Sequence, residues 1–241
     1  YEARLRLGDR LAKTVAAYTP LGDIDVIMPI PDSSRPAAMQ VARRLGVAKS
    51  TAHRLLQTLA SRGFVEQDSH SGQYRLGIHV YELGELALAR NQLRHAALPF
   101  LRQVAAATGL TVNLAVADGP DVVFVERIEN SDGVRILGHF GRRLPAHTTS
   151  SGKAIAAWNT RADAARRRAG FPPRVSKTVR TEADWDRCLD SVRKVGYAVS
   201  HSESFDGASS VAVPVISHRE AIASISVFGP TEIIQPQVDR L

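Results

Sequence analysis

The stretch AAMQVARRLGVAKSTAHRLLQTLASRGFVEQDSHSGQYRLG (residues 37–77) restricts the fold more than any other part of this chain. Ala38, Val41, Ala42 and Leu45 recur at helical spacing, and Gly46 is a helix stop. Lys49, Ser50 and Thr51 then open a second helix. Its residues Ala52, Leu55, Leu56 and Leu59 fall at i, i+3, i+4 and i+7, which predicts one buried apolar stripe. Gly63 ends that helix. FVEQ and QYRL follow as two short strands around the turn-rich loop DSHSG. Helices over 37–45 and 49–62, a tight turn between them and a small hairpin give the order of a winged helix-turn-helix.

From residue 77 the pattern changes. GIHVYELGELALARNQLRHAALPFLRQVAAATG reads as one long or two abutting helices ending at Gly109. Strands are predicted for TVNLAVADG, DVVFVERIE and GVRILGHFG. LPAHTTSSGKAIAAW is then a loop entering a helix, and two helical stretches follow (162–169 and 182–194). The chain finishes on the strands and loops of GYAVSHSESFDGASSVAVPVIS and AIASISVFGP. Helix and strand intermix without a βαβ rhythm, so the predicted class is α+β with an antiparallel sheet. The 241 residues suffice for two domains, and 44% hydrophobic content marks a globular chain. We place the domain boundary at 78/79.

Several function classes are disfavoured. The single cysteine, Cys188, supplies neither a disulfide framework nor a thiolate metal cluster, and it reads as a small buried hydrophobe. No apolar run is long enough to span a membrane, and no signal peptide is evident, so the expected compartment is the cytoplasm. The eight histidines lack zinc-helix spacing. SSGKA lacks the upstream glycine of a phosphate loop, and no G-x-S-x-G elbow is present. No cofactor or metal is expected. The net charge of +7 suits a polyanionic partner without specifying one.

At KSTAHRLLQTLASRGFVEQD…YRLG the chain resembles the IclR family of bacterial transcriptional regulators. The likeness continues through GRRLPAHTTSSGKAIAAW, VRKVGYAVSHSES, VAVPVIS and ASISVFGP, in that order, and covers about residues 37–230. It implies a winged helix-turn-helix followed by a linker helix and a GAF-like effector-binding domain (79–241). It also implies a homodimer or tetramer on a double-stranded DNA operator. A small organic acid, of which aromatic acids are one class, would control it by favouring one conformation of the effector domains.

On that reading the second helix enters the major groove. Ser50, Thr51, His53, Arg54 and Gln57 lie opposite the apolar stripe. Arg54 is the candidate for a bidentate guanine contact, Ser50 and Thr51 for phosphate or base edges, and Lys49 for a phosphate. His70 and Arg75 on the wing are candidates for the backbone or minor groove. In the second domain the resemblance implies a pocket with Ser150 and Ser151 at a helix N-terminus. Ser210 and Ser226 come from strands, Leu137 and Leu144 form an apolar wall, and Phe228 is a departure that shrinks the pocket or stacks on an aromatic ligand. Glu203 flanks the pocket in a role that is equally well structural.

Residues 1–46 read differently. YEARLRLGDRLAK and DIDVIMPIPDSSRPAAMQVARRLG resemble the phosphoribosyltransferase part of glutamine phosphoribosylpyrophosphate amidotransferase, as if two sequences had been joined. Ser33, Ser34 and Arg35 would face an anion at a helix N-terminus. The alternative functions are therefore a phosphoribosyltransferase-derived nucleotide binder, or an effector-binding module whose DNA-binding head is impaired. No second acidic loop for ribose and metal accompanies the turn, and an N-terminal cysteine is missing. We accordingly read DSSRP as a helix cap and first-turn proline, and residues 5–16 as a substitute first helix of the DNA-binding domain.

Overall fold

The computed structural model describes residues 37–70, 72–129 and 143–240. The predicted helix 5–16, the strand at 24–31, the DSSRP turn, the strand GVRILGHFG and Leu137 lie outside them. The chain divides into two compact units between Arg90 and Asn91.

In the first unit, α1 (Ala37–Leu45) stops at Gly46, whose φ of +64° only glycine adopts without strain. Three residues later α2 (Lys49–Ser61) begins, and the hairpin β1 (Val65–Gln67) and β2 (Tyr74–Leu76) follows in antiparallel register, Val65 opposite Leu76 and Gln67 opposite Tyr74. The core is small: Ala38, Leu56 and Tyr74, with Val41 and Val65 against them. Ala52 and Leu56 are buried as predicted, but Leu55 and Leu59 are 45% and 41% exposed. The apolar stripe of α2 is wider than the line along which α1 and β1 cover it. Next comes α3 (Ile78–Ala89), in which Ile78, Tyr81, Leu83 and Leu86 are all exposed.

The second unit opens with α4 (Gln92–Thr108), capped by Asn91 and ended by Gly109 in the left-handed conformation. The predicted helical run is thus two helices. The strands are β3 (Thr111–Asp118), β4 (Asp121–Ile128), β5 (Arg143–Pro145), β6 (Ala198–His201), β7 (Ala208–Ser217) and β8 (Glu220–Pro230). They form one antiparallel sheet in the order β5-β4-β3-β8-β7-β6. Between β5 and β6 run a 3-10 turn (Ala146–Thr148), α5 (Ser150–Trp158), α6 (Thr160–Ala169) and α7 (Glu182–Val195). A short helix α8 (Thr231–Ile234) and a 3-10 stretch (Gln235–Arg240) follow β8.

Period-two alternation assigns each sheet face a partner. Val112, Leu114, Val211 and Val227 pack with Leu101 and Ala105 of α4 on one side. Ala115, Val122, Ala198 and Ala212 meet α5 on the other, with Trp185 and Leu189 of α7 behind it. Residues Ser150–Ala157 of α5 are all buried. Apart from Lys153 and Ile155 their side chains are small, which lets that helix lie close to the sheet. The α+β class read from the sequence holds for the domain.

Candidate functional site

Two places gather polar side chains that the fold itself does not use. The first is a cavity of about 250 Å³ in the second unit, on the α5 side of the sheet. That volume is at the small end for ligand pockets.

One wall is the start of α5. Thr149 caps the helix, its Oγ1 accepting from the Gly152 amide at 2.9 Å. The Ser150 and Ser151 amides before it have no intrahelical acceptor, as at any helix start, so they present donors and the positive end of the helix dipole. Gly152 permits this arrangement. A Cβ there would lie 2.2 Å from the Ala146 carbonyl oxygen. Ser150 Oγ is 2.7 Å from Ser210 Oγ on β7, which ties helix to sheet.

The floor is the sheet. Ser200, Ser210 and Phe228 lie in one cross-strand row, and Ser226 and Asn113 in the next. Ser151, Ser226 and Asn113 are 1%, 3% and 7% exposed, and their side chains have no hydrogen-bond partner among the described residues. These three polar groups open onto one cavity with no protein partner to occupy them, which gives a polar guest its contacts. Leu144 and the rings of Phe124, Phe205 and Phe228 supply the apolar remainder. Arg174 lies over Phe205, 5.0 Å from the ring centroid.

Ser150, Ser151, Ser210, Ser226, Leu144 and Phe228, all singled out in the sequence, therefore surround one space. Sequence reasoning missed Asn113, Phe124, Glu126, Arg127, Glu129, Ser204 and Phe205. Those on β3 and β4 look like ordinary strand residues until the strand order puts them beside β8. Glu203 sits away from the cavity interior, on Lys153. That lysine is 3% exposed, and its Nζ is 2.6 Å from both Glu203 carboxylate oxygens.

Two other titratable groups lie near α5, His147 buried and Cys188 half-buried. His147 is fully buried, with Nε2 3.0 Å from the Pro172 carbonyl oxygen. Burial pushes its imidazole down to about 4; the Pro172 hydrogen bond opposes this, and the Arg166 and Lys153 cations reinforce it. Burial also raises the Cys188 thiol, which keeps it protonated and unreactive.

The second place is the open face of α2. Lys49, Ser50, His53, Arg54 and Gln57 are exposed and Thr51 is half-buried. None of these side chains has a hydrogen bond or ion pair among the described residues. The wing differs. Arg75 donates from Nε and Nη2 to Glu66 Oε2 at 2.9 and 2.7 Å, so its charge is already matched across the hairpin. His70 is exposed at the wing tip, its ring nitrogen Nδ1 3.3 Å from Ser69 Oγ.

Comparison with known proteins gives two family-model matches: the bacterial transcriptional regulator IclR C-terminal domain over residues 85–238, and the IclR helix-turn-helix domain over residues 32–69. The chain is similar to the HTH-type transcriptional regulator XynR of Escherichia coli, 32% identical over 190 residues, covering 78% of this chain and 75% of that one. It is 33% identical to the glycerol operon regulatory protein of Streptomyces coelicolor, covering 80% and 76% of the two. Among solved structures, an IclR transcriptional regulator from Alicyclobacillus acidocaldarius superposes with a TM-score of 0.72 at 33% identity, over 85% of each chain. An IclR homolog from Microbacterium hydrocarbonoxydans, complexed with 4-hydroxybenzoate, does so at 0.68 and 29%, over 84% of this chain and 85% of that one. The two family models leave residues 1–31, the bulk of the amidotransferase-like segment, unmatched.

Proposed function

From the premise that this chain belongs to the IclR family of bacterial transcriptional regulators, we propose which of its residues carry out the two halves of that activity. It is an IclR-type regulator with a helix-turn-helix and an effector-binding C-terminal domain. Residues 1–78 form the DNA-binding domain, and residues 79–241 a linker helix and the effector domain.

The effector is a small aromatic acid. Its carboxylate docks on the Ser150 and Ser151 amides, with Ser210 and Ser226 alongside, and its ring lies against Leu144 and Phe228. The hydroxyls of Ser151 and Ser226, which open onto the cavity without a hydrogen-bond partner among the described residues, are the observation that carries this reading. A carboxylate satisfies them together with the first-turn amides. The 4-hydroxybenzoate held by the Microbacterium relative supports the same ligand class.

DNA is read by α2. Arg54 reaches a guanine edge, Ser50, Thr51, His53 and Gln57 line the groove, and Lys49 holds a phosphate. His70 approaches the backbone from the wing. The protein works as a homodimer or tetramer, because one such module makes few contacts. The apolar residues exposed on α3, Ile78, Tyr81, Leu83 and Leu86, fit a helix shared between copies.

Titration calorimetry of the full chain with benzoate-class acids tests the pocket, and a mobility shift on promoter DNA tests the reading head. We expect Ser226→Val to weaken acid binding at least about tenfold. Undiminished acid binding in both Ser226→Val and Ser151→Ala would refute the pocket assignment.

A further inference from the structure

The charged end of the cavity is built by the last residues of β4. Glu126 and Arg127 are neighbours in the chain, yet both line the cavity, as does Glu129 just past the strand. The ladder between β3 and β4 shifts immediately before them, at Val125. Arg127 is taken up by Glu129, with Nε 2.7 Å from Oε1. Glu126 turns to another element. Its Oε1 accepts from the Arg127 amide at 2.9 Å, and its Oε2 lies 2.7 Å from Arg94 Nε of α4. Arg94 does not itself line the cavity, and neither does any other residue of α4. One carboxylate thus belongs both to the cavity wall and to a helix outside it.

That helix depends on the carboxylate. The first turn of α4 contains no acidic residue. It places the Arg94 cation at the positive end of the helix dipole, where a cation is unfavourable. Two contacts hold the turn: Asn91 Oδ1 accepts from the Arg94 amide at 2.9 Å, and Glu126 pairs with the guanidinium. A helix end has a wound and a frayed state, and the added carboxylate favours the wound one. The pair is partly open to water, with 25% of the Arg94 side chain and 15% of the Glu126 side chain exposed. A guest in the cavity removes water from the Glu126 side, and attraction between the charges rises as the local dielectric falls. Each Glu126 oxygen already has a protein partner, so the guest costs the carboxylate little hydration. Occupancy therefore tightens the first turn of α4. Asn91, which caps that turn, opens the second unit, and only Arg90 and Asn91 separate α4 from α3.

We infer that the Glu126–Arg94 pair relays occupancy of the effector cavity to the first turn of α4, and so to the two-residue joint with α3. This rests on the reading above that an acid fills the cavity. It adds the residues through which that filling is felt outside the cavity. Arg94 is a positioning residue for the joint and makes no contact with the acid.

The test uses the full-length chain with benzoate and 4-hydroxybenzoate as probes. In amide exchange followed by NMR, a saturating acid should slow the Arg94 and His95 amides at least about fivefold, the lower end of ordinary coupling. Coupling is reciprocal, so promoter DNA should change the calorimetric Kd of the same acid by at least about fivefold. In Arg94→Met both effects should fall to within about twofold. The acid's Kd for the DNA-free variant should stay within about threefold of the parent's, which also shows that the variant folds. If acid leaves the Arg94 and His95 amides of the parent unchanged, or if Arg94→Met keeps the full response, the relay is wrong while the cavity assignment survives. If neither acid binds the parent, both readings fail.

Discussion

Lys153 Nζ lies 2.6 Å from both carboxylate oxygens of Glu203, 50 residues further along the chain, and also donates to the Val199 carbonyl at 3.1 Å. The pair fixes the segment that carries Ser204 and Phe205 to the cavity. Thr178 Oγ1 donates to the Glu203 carbonyl at 2.8 Å, and Ser204 Oγ to the Thr148 carbonyl at 2.6 Å, which completes the attachment. Lys153 belongs to the same helix whose first turn we assign to the carboxylate, so one ion pair positions two walls of the site.

Removing one partner strands the other in a buried place. Lys153→Met should cost about 3–5 kcal/mol in chemical denaturation and weaken acid binding as well. The double variant Lys153→Met/Glu203→Leu should recover much of the stability, because an apolar pair needs no desolvation of charge. Equal stabilities of the single and double variants would contradict this account.

The cations of the reading head should behave differently from one another. Arg54→Ala is expected to lose about 1–3 kcal/mol at one base position and so relax sequence preference in a mobility shift. Lys49→Ala should weaken all sequences alike and lower the salt slope by about one. Arg75→Ala should do little, because Glu66 already occupies its guanidinium. A large loss from Arg75→Ala would mean that the hairpin pair opens on DNA.

His147 predicts a pH dependence. Its imidazole is held near 4 in the fold, against about 6.5 in an unfolded chain. Between those values the unfolded state binds the extra proton, so stability falls as pH drops from about 6.5 towards 4. Urea melts across that range should show the decline. His147→Gln should flatten this part of the curve, and an unchanged slope would assign the effect to another group.

Gly152→Ala places a methyl 2.2 Å from the Ala146 carbonyl oxygen, a backbone atom with little room to yield. We expect a loss of about 1–3 kcal/mol or more, as for other overpacked sites, together with weakened acid binding as the first turn of α5 moves. A melting temperature matching that of the parent would show that the 3-10 turn gives way easily.

Much of this was legible in the sequence because local signals agreed with each other. Gly46, Gly63 and Gly109 end their helices where their spacing to the apolar residues predicts. The serines at 150, 151, 210 and 226 came from family likeness, and they do surround one space. Asn113 and Arg127 were not legible. Their position depends on strand order, β4 beside β3 beside β8, which brings together residues more than a hundred positions apart. The exposure of Leu55 and Leu59 was missed for the opposite reason: helical periodicity gives the width of an apolar stripe but not how much of it neighbours cover.

Leu114 faces Glu126 but Ala115 faces Phe124, so Val125 is an extra residue in β4, and it bears on how such a receptor changes its preferences. Deleting one position there would restore strict alternation and exchange the sheet faces on which Glu126 and Arg127 stand. A length change of a single codon would thus alter the chemistry along one edge of the cavity without any change of residue type. Descendants of this chain have in that spot a coarse adjustment, beside the finer one of replacing side chains singly.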